Sequence, residues 1–249
     1  ERIEMKKFLA LAFSVCILSA AEIKIAAAAN IGYVFEELKT EFLKDRKGDN
    51  VVADLGSSGQ LSAKIQAGAD YAIFMAANMK FANDLNEKGF SASGQAVPYT
   101  RGVLVAFSDK KRDLSDVMNL LKDKSIEKIS VGNTKTAPYG IAAKEAFENA
   151  GIYNDIEKKL VYAQSISGVM PHVISGAADI GFIPKSGLVG KDKYKKDENF
   201  VEVDRALYTP LDQGMILLKG HENDKLAKEF FKFIQSDRAK AIFAEFGYE

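Results

Sequence analysis

The sequence predicts an α/β protein of two lobes, each built on a parallel-rich sheet and joined by two hinge strands. Three observations predict it. Strand-like and helix-like segments alternate along the chain, two long strand-like stretches at 96–109 and 204–220 interrupt the alternation, and four strand-to-helix turns are made of small residues. Alternation of this kind favours parallel sheets with helices on both faces. Two crossings carry the chain from one lobe to the other and back, which places a cleft between the lobes. The expected division is 22–98 for the first part of lobe one, 99–207 for lobe two and 208–249 for the return.

Residues 1–21 stand apart from this pattern. Met5-Lys6-Lys7 precedes an apolar run from Phe8 to Leu18 and then Ser19-Ala20-Ala21. A basic start, a short apolar core and small residues before a cut describe a secretory signal peptide, with cleavage expected after Ala21. The run is shorter than the roughly 20 residues that span a bilayer. The protein is therefore expected to be exported to the periplasm. Cys16 lacks the small residue directly upstream that a lipoprotein needs, so a soluble form is expected.

The elements then follow in order. A strand of β-branched and small residues at 22–28 leads to an amphipathic helix at 32–47. The strand 51–55 leads to a helix at 60–67, and the strand 72–77 to a helix at 79–88. The first crossing contains the strand 103–107, followed by a helix at 114–123. In the second lobe, the strand 129–131 precedes the helix 140–149, and the strand 160–162 precedes the helix 167–175. The strand 179–183 follows. The strand 215–218 returns to the first lobe, and two helices fill 224–246. The mixed run "KDKYKKDE" at 191–198 is expected to be a solvated loop.

Composition removes several function classes. Taking away residues 1–21 leaves 228 of 249 residues and a net charge near −1, which argues against a nucleic-acid partner held by a basic field. The only cysteine lies in that leader, so disulfides, thiolate metal sites and a cysteine nucleophile are excluded from the remainder. The two histidines, His172 and His221, have no metal-ligand spacing. No cofactor is expected.

Four turns carry the chemistry: "AAAAN" at 26–30, "GSSG" at 56–59, "TAPYG" at 136–140 and "AQSIS" at 163–167. In open α/β sheets ligands bind beyond the C-terminal ends of strands. A helix N-terminus there presents unpaired N–H groups and partial positive charge, so converging turns form an anion site without lysine or arginine. Asn30 caps its helix or donates from its amide, and Pro138 suits the first helical position.

Together with "GFIPKSGL" at 181–188 and "AKAIFAEFGYE" at 239–249, these motifs resemble the periplasmic molybdate-binding proteins of ABC transporters, over essentially the whole exported part. The resemblance implies a type II periplasmic binding fold. It also implies a ligand, molybdate or tungstate, delivered to a permease in the inner membrane, and a monomer. By position, Asn30 falls where the family has its first serine ligand, and Ser58 matches the second, donating from N–H and hydroxyl. Tyr139 and Ile166 fall where the family uses backbone N–H groups. All four are contacts to the oxyanion rather than to the metal atom within it. The family's tyrosine ligand falls on Pro184, which has neither N–H nor hydroxyl, and Lys185 is the neighbouring donor. Asn78 stands where the family has an acid.

Molybdate and tungstate are fully deprotonated near neutral pH, so a matching pocket needs donors and no carboxylate. Phosphate carries a proton and profits from an acceptor; none of the four turns places Asp or Glu at a binding position, which disfavours it. The rival readings are weaker. An exported receptor for an organic solute such as an amino acid clamps a carboxylate with arginine, and Arg101 is the one candidate. An enzyme is not expected, because the G-x-S-x-G elbow, a histidine triad context and a P-loop are all missing.

Overall fold

The computed structural model describes residues 20–249. The predicted leader therefore lies outside the described residues, apart from Ala20 and Ala21.

In chain order, β1 (Glu22–Ala28) runs into a 3-10 turn (Ala29–Tyr33) and α1 (Phe35–Leu43). β2 (Asn50–Gly56), α2 (Ser58–Gln66), β3 (Ile73–Met75), α3 (Met79–Glu87) and β4 (Val97–Gly102) complete the first pass through one lobe. The other lobe holds β5 (Leu104–Phe107), α4 (Val117–Leu120), β6 (Ile129–Gly132), α5 (Pro138–Asn149) and α6 (Tyr153–Ile156). It continues with β7 (Leu160–Ala163), α7 (Val169–Ile174), β8 (Ile180–Pro184) and β9 (Phe200–Glu202). The return consists of β10 (Leu211–Leu217), α8 (Lys225–Ile234) and α9 (Asp237–Glu245).

Two five-stranded sheets result, ordered β2-β1-β3-β10-β4 and β7-β6-β8-β5-β9. The βαβ pairs β1–β2, β1–β3, β6–β7 and β6–β8 are parallel, whereas the strands that carry the crossings pair antiparallel with their neighbours. Parallel neighbours need a helix between them, and a strand that enters from the opposite lobe has none. The first crossing is a single residue: β4 pairs with β10 up to Gly102, β5 begins at Leu104, and only Val103 separates them. Residues 99–102, which the sequence assigns to lobe two, thus sit in the first sheet. The return lies between Glu202 and Leu211.

Side-chain alternation explains the burial of the first sheet on both faces. Ile23, Ile25 and Ala27 of β1 join one core with Ile73 and Met75 of β3, while Ala26 and Phe74 join the core on the opposite face. Helix α1 buries Phe35, Leu38 and Phe42 along one stripe and keeps Glu36 and Glu37 in its first turn, where the helix dipole favours acids. Phe42 meets Phe230 of α8 edge-on, ring centroids 5.0 Å apart. Asp224 and Ser236 cap α8 and α9 by accepting from the N–H groups of Ala227 and Ala239. The helix expected at 32–47 is Phe35–Leu43 here: 29–33 takes a tight 3-10 path before it, and the chain turns after Leu43. No helix among the described residues is long and apolar enough to cross a membrane.

Candidate functional site

The register of the parallel strands brings their ends level. Ala28 of β1 lies opposite Gly56 of β2, and Gly132 of β6 lies opposite Ala163 of β7. The four turns leave these ends and face one another across the cleft, around a small cavity. The first lobe lines it with Ala28 to Asn30, Gly56 to Ser58 and Ala77, and the second with Ala137 to Tyr139 and Ile166. Neither a carboxylate nor a basic side chain is among these residues.

The donors come from backbone and hydroxyls. Ser57 is the N-cap of α2, yet its hydroxyl makes no cap bond and is buried without a partner. Ser58 is fully buried, and its Oγ accepts the Ala77 N–H at 3.0 Å, which leaves its hydrogen for the cavity. The first turn of α5 begins at Pro138, so Tyr139 carries the first N–H of that helix. Ile166 opens a 3-10 turn directly after β7. Four of the five predicted site residues, Asn30, Ser58, Tyr139 and Ile166, therefore meet at one cavity.

The fifth does not. Lys185 lies outside the lining, its ammonium 2.6 Å from the Glu202 carboxylate. That partner holds the Glu202 carboxyl below its ordinary range, burial opposing it only in part. Pro184 ends β8 in the buried interior. Arg101, the clamp an organic-acid receptor needs, pairs with Asp212 at 2.6 Å and is absent from the cavity wall. The histidines also lie elsewhere, His172 against Ser130 and His221 against Asp70.

Behind the cavity is a buried polar cluster that the sequence does not announce. Asn30 Nδ2 donates to Gln213 Oε1 at 3.0 Å and to the Tyr248 hydroxyl at 3.1 Å, and Tyr248 in turn donates to the Asn30 carbonyl. The Tyr99 hydroxyl donates to Gln213 Oε1 at 2.9 Å, and Gln213 Nε2 donates to the Tyr139 hydroxyl at 3.3 Å. Asn30 Oδ1 is left without a partner. A register shift in β10 at Gln213/Gly214 turns the glutamine inward, as bulges beside sites do. Burial pushes the phenols of Tyr99 and Tyr139 well above their ordinary pKa and that of Tyr248 up to about 12, so all three stay neutral donors. Tyr139 thus contributes a side chain as well as the expected N–H: it ties the second lobe to Gln213 of the first.

A two-lobed α/β fold with a donor-lined cavity at facing strand ends defines a solute-binding protein. Comparison with known families agrees: the bacterial extracellular solute-binding protein model matches residues 23–249, and the chain belongs to that family. It is 31% identical over 230 residues to the molybdate-binding protein ModA of Rhodobacter capsulatus, covering 92% of this chain and 89% of that one. Among solved structures it is similar to the periplasmic molybdate-binding protein of Azotobacter vinelandii, with a TM-score of 0.84, 27% identity, and 91% and 98% of the two chains covered. The substrate-binding domain of a putative molybdenum ABC transporter from Clostridium difficile gives a TM-score of 0.66 at 28% identity over 92% and 99%. The chain is a binding protein and not an enzyme.

Proposed function

We propose that this chain captures molybdate in the interlobe cavity and delivers it to an ABC permease, with tungstate accepted in the same site. The observation that carries the reading is the lining itself: hydroxyls and helix-entry N–H groups from both lobes, with neither an ionised acid nor a base. A dianion whose four oxygens only accept suits such a site, and preorganised N–H groups replace its hydration. The names of the relatives support the same ligand. Ser58 gives hydroxyl and N–H, Tyr139 and Ile166 give N–H groups, and Asn30 completes the first-lobe side. Ser57 adds a buried hydroxyl that has no other partner. Delivery from the periplasm by a monomer, after removal of the leader, follows from the same reading.

Titration calorimetry tests it. Molybdate and tungstate are expected to bind with one site per chain, and phosphate to give no heat. Binding of an amino acid in place of the oxyanions would favour the organic-solute receptor.

A further inference from the structure

Asn30 presents a contradiction to an acceptor-only ligand. It lines the cavity and is fully buried, but both hydrogens of its amide are spent on Gln213 and Tyr248, and the atom without a partner is an acceptor, Oδ1. A buried acceptor with no donor is costly, and opposing a dianion it is more so.

Gln213 offers the remedy. It is fully buried and touches Asn30, Tyr99 and Tyr139 at once. Turning both amides over exchanges nitrogen for oxygen at each end while every heavy-atom separation is kept. Gln213 Nε2 then donates to Asn30 Oδ1 and to the Tyr99 oxygen, and Gln213 Oε1 accepts from the Tyr139 hydroxyl. Tyr99 donates to the Ala76 carbonyl, already 3.2 Å away. Tyr248 keeps its hydrogen on the Asn30 backbone carbonyl, 2.9 Å away, and gives up the bond it accepted from the Asn30 amide. Asn30 Oδ1 is now paired with Gln213, and both hydrogens of Asn30 Nδ2 are free for the cavity. The phenols permit this because each both donates and accepts.

We infer that Gln213 is a specificity-determining positioning residue: it sets which end of the Asn30 amide meets the ligand, and in the anion-bound receptor both amides are turned so that Asn30 Nδ2 donates to the oxyanion. The inference rests on the oxyanion reading. It makes the donor character of the cavity depend on a residue that does not line it.

The test is a double-mutant cycle read by molybdate calorimetry at neutral pH. In Gln213→Glu, residue 213 only accepts, so it holds Asn30 Nδ2 and keeps Oδ1 toward the ligand. Affinity should fall roughly 10–100-fold, the range for losing a charge-assisted bond. The added charge also repels the anion, and the Asn30→Ser background separates the two effects, because serine donates whatever residue 213 does. There Gln213→Glu should cost only what the charge repulsion costs, at least about 5-fold less than beside Asn30, a coupling that only contacting residues show. Equal losses in both backgrounds, or no loss in the first, overturn the inference. Nuclear Overhauser contacts in the unmodified protein give a reading independent of variant folding. With molybdate bound, the Gln213 side-chain amide hydrogens should lie against the Tyr99 ring. Contacts to Tyr139 alone in the bound state overturn the inference while molybdate binding itself stands. Failure of the unmodified protein to bind molybdate overturns the oxyanion reading, and this inference with it.

Discussion

Ser58 uses one hydroxyl twice, accepting from the Ala77 N–H and keeping its hydrogen for the cavity. Ser58→Ala is therefore expected to act on two observables. Molybdate affinity falls by about 1.5–3 kcal/mol, the worth of a hydrogen bond to a charged group. The melting temperature of the ligand-free protein falls as well, because the buried Ala77 N–H loses its acceptor at a cost of about 1–3 kcal/mol. Ser57→Ala separates the two: it removes an unpartnered buried hydroxyl, so melting is unchanged while affinity drops. Calorimetry and thermal denaturation of both variants check this, and an unchanged affinity in Ser58→Ala removes the serine from the site. The serine turn is legible in the sequence because glycines bracket it and it joins two neighbouring elements. Tyr99, Gln213 and Tyr248 are not, since Asn30 meets its partners 183 and 218 positions away. The available signal is Gln213 beside Gly214 at the entry to an apolar strand, a pairing that also reads as an exposed turn.

At the scale of elements, α2 and the turn before α5 form the contact that closes the cleft. The Gly59 N–H donates to the Thr136 carbonyl at 2.9 Å, and a Cβ at Gly59 would stand 3.0 Å from both Cα and Cβ of Thr136. Gly59→Ala should favour helix α2 by up to about 1 kcal/mol and oppose closure at the same time. The expected result is a ligand-free melting temperature that holds or rises with a weaker affinity for molybdate; an affinity equal to that of the unmodified protein removes the contact from closure. The ion pair between the end of β8 and β9 behaves differently. Glu202 has a lowered folded pKa, mainly through its bond to Lys185, so the pair stabilises the fold above the unfolded carboxylate value of about 4.3 and is lost as pH falls through the lower folded value. Lys185→Met should thus be less stable than the unmodified protein at neutral pH and equal to it in strong acid, with molybdate affinity retained. Denaturant unfolding at several pH values reads this, and a deficit that persists in acid assigns the loss to packing. The parallel βαβ units are legible from alternation alone. β9 and the division between β4 and β5 are not, because a three-residue strand carries no periodicity and a one-residue crossing carries no turn signal.

For the whole molecule, the cavity wall is shared between lobes joined by only Val103 and the 203–210 segment, so a ligand that contacts both walls binds the closed arrangement in preference to an open one. The ligand also binds the folded chain alone, and stability must rise with its free concentration. At a thousand times the dissociation constant the gain is about 4 kcal/mol. For a domain of this size one kcal/mol moves the midpoint by about 2–4 °C, so saturating molybdate should raise it by about 8–16 °C. Small-angle scattering on the same samples should show a smaller radius of gyration with ligand than without. The two measurements divide the alternatives. A raised midpoint with an unchanged radius means a cleft that is already closed before the anion arrives, with affinity set by the walls alone. A midpoint that does not move with molybdate, tungstate or any other oxyanion means that the facing turns hold a different solute.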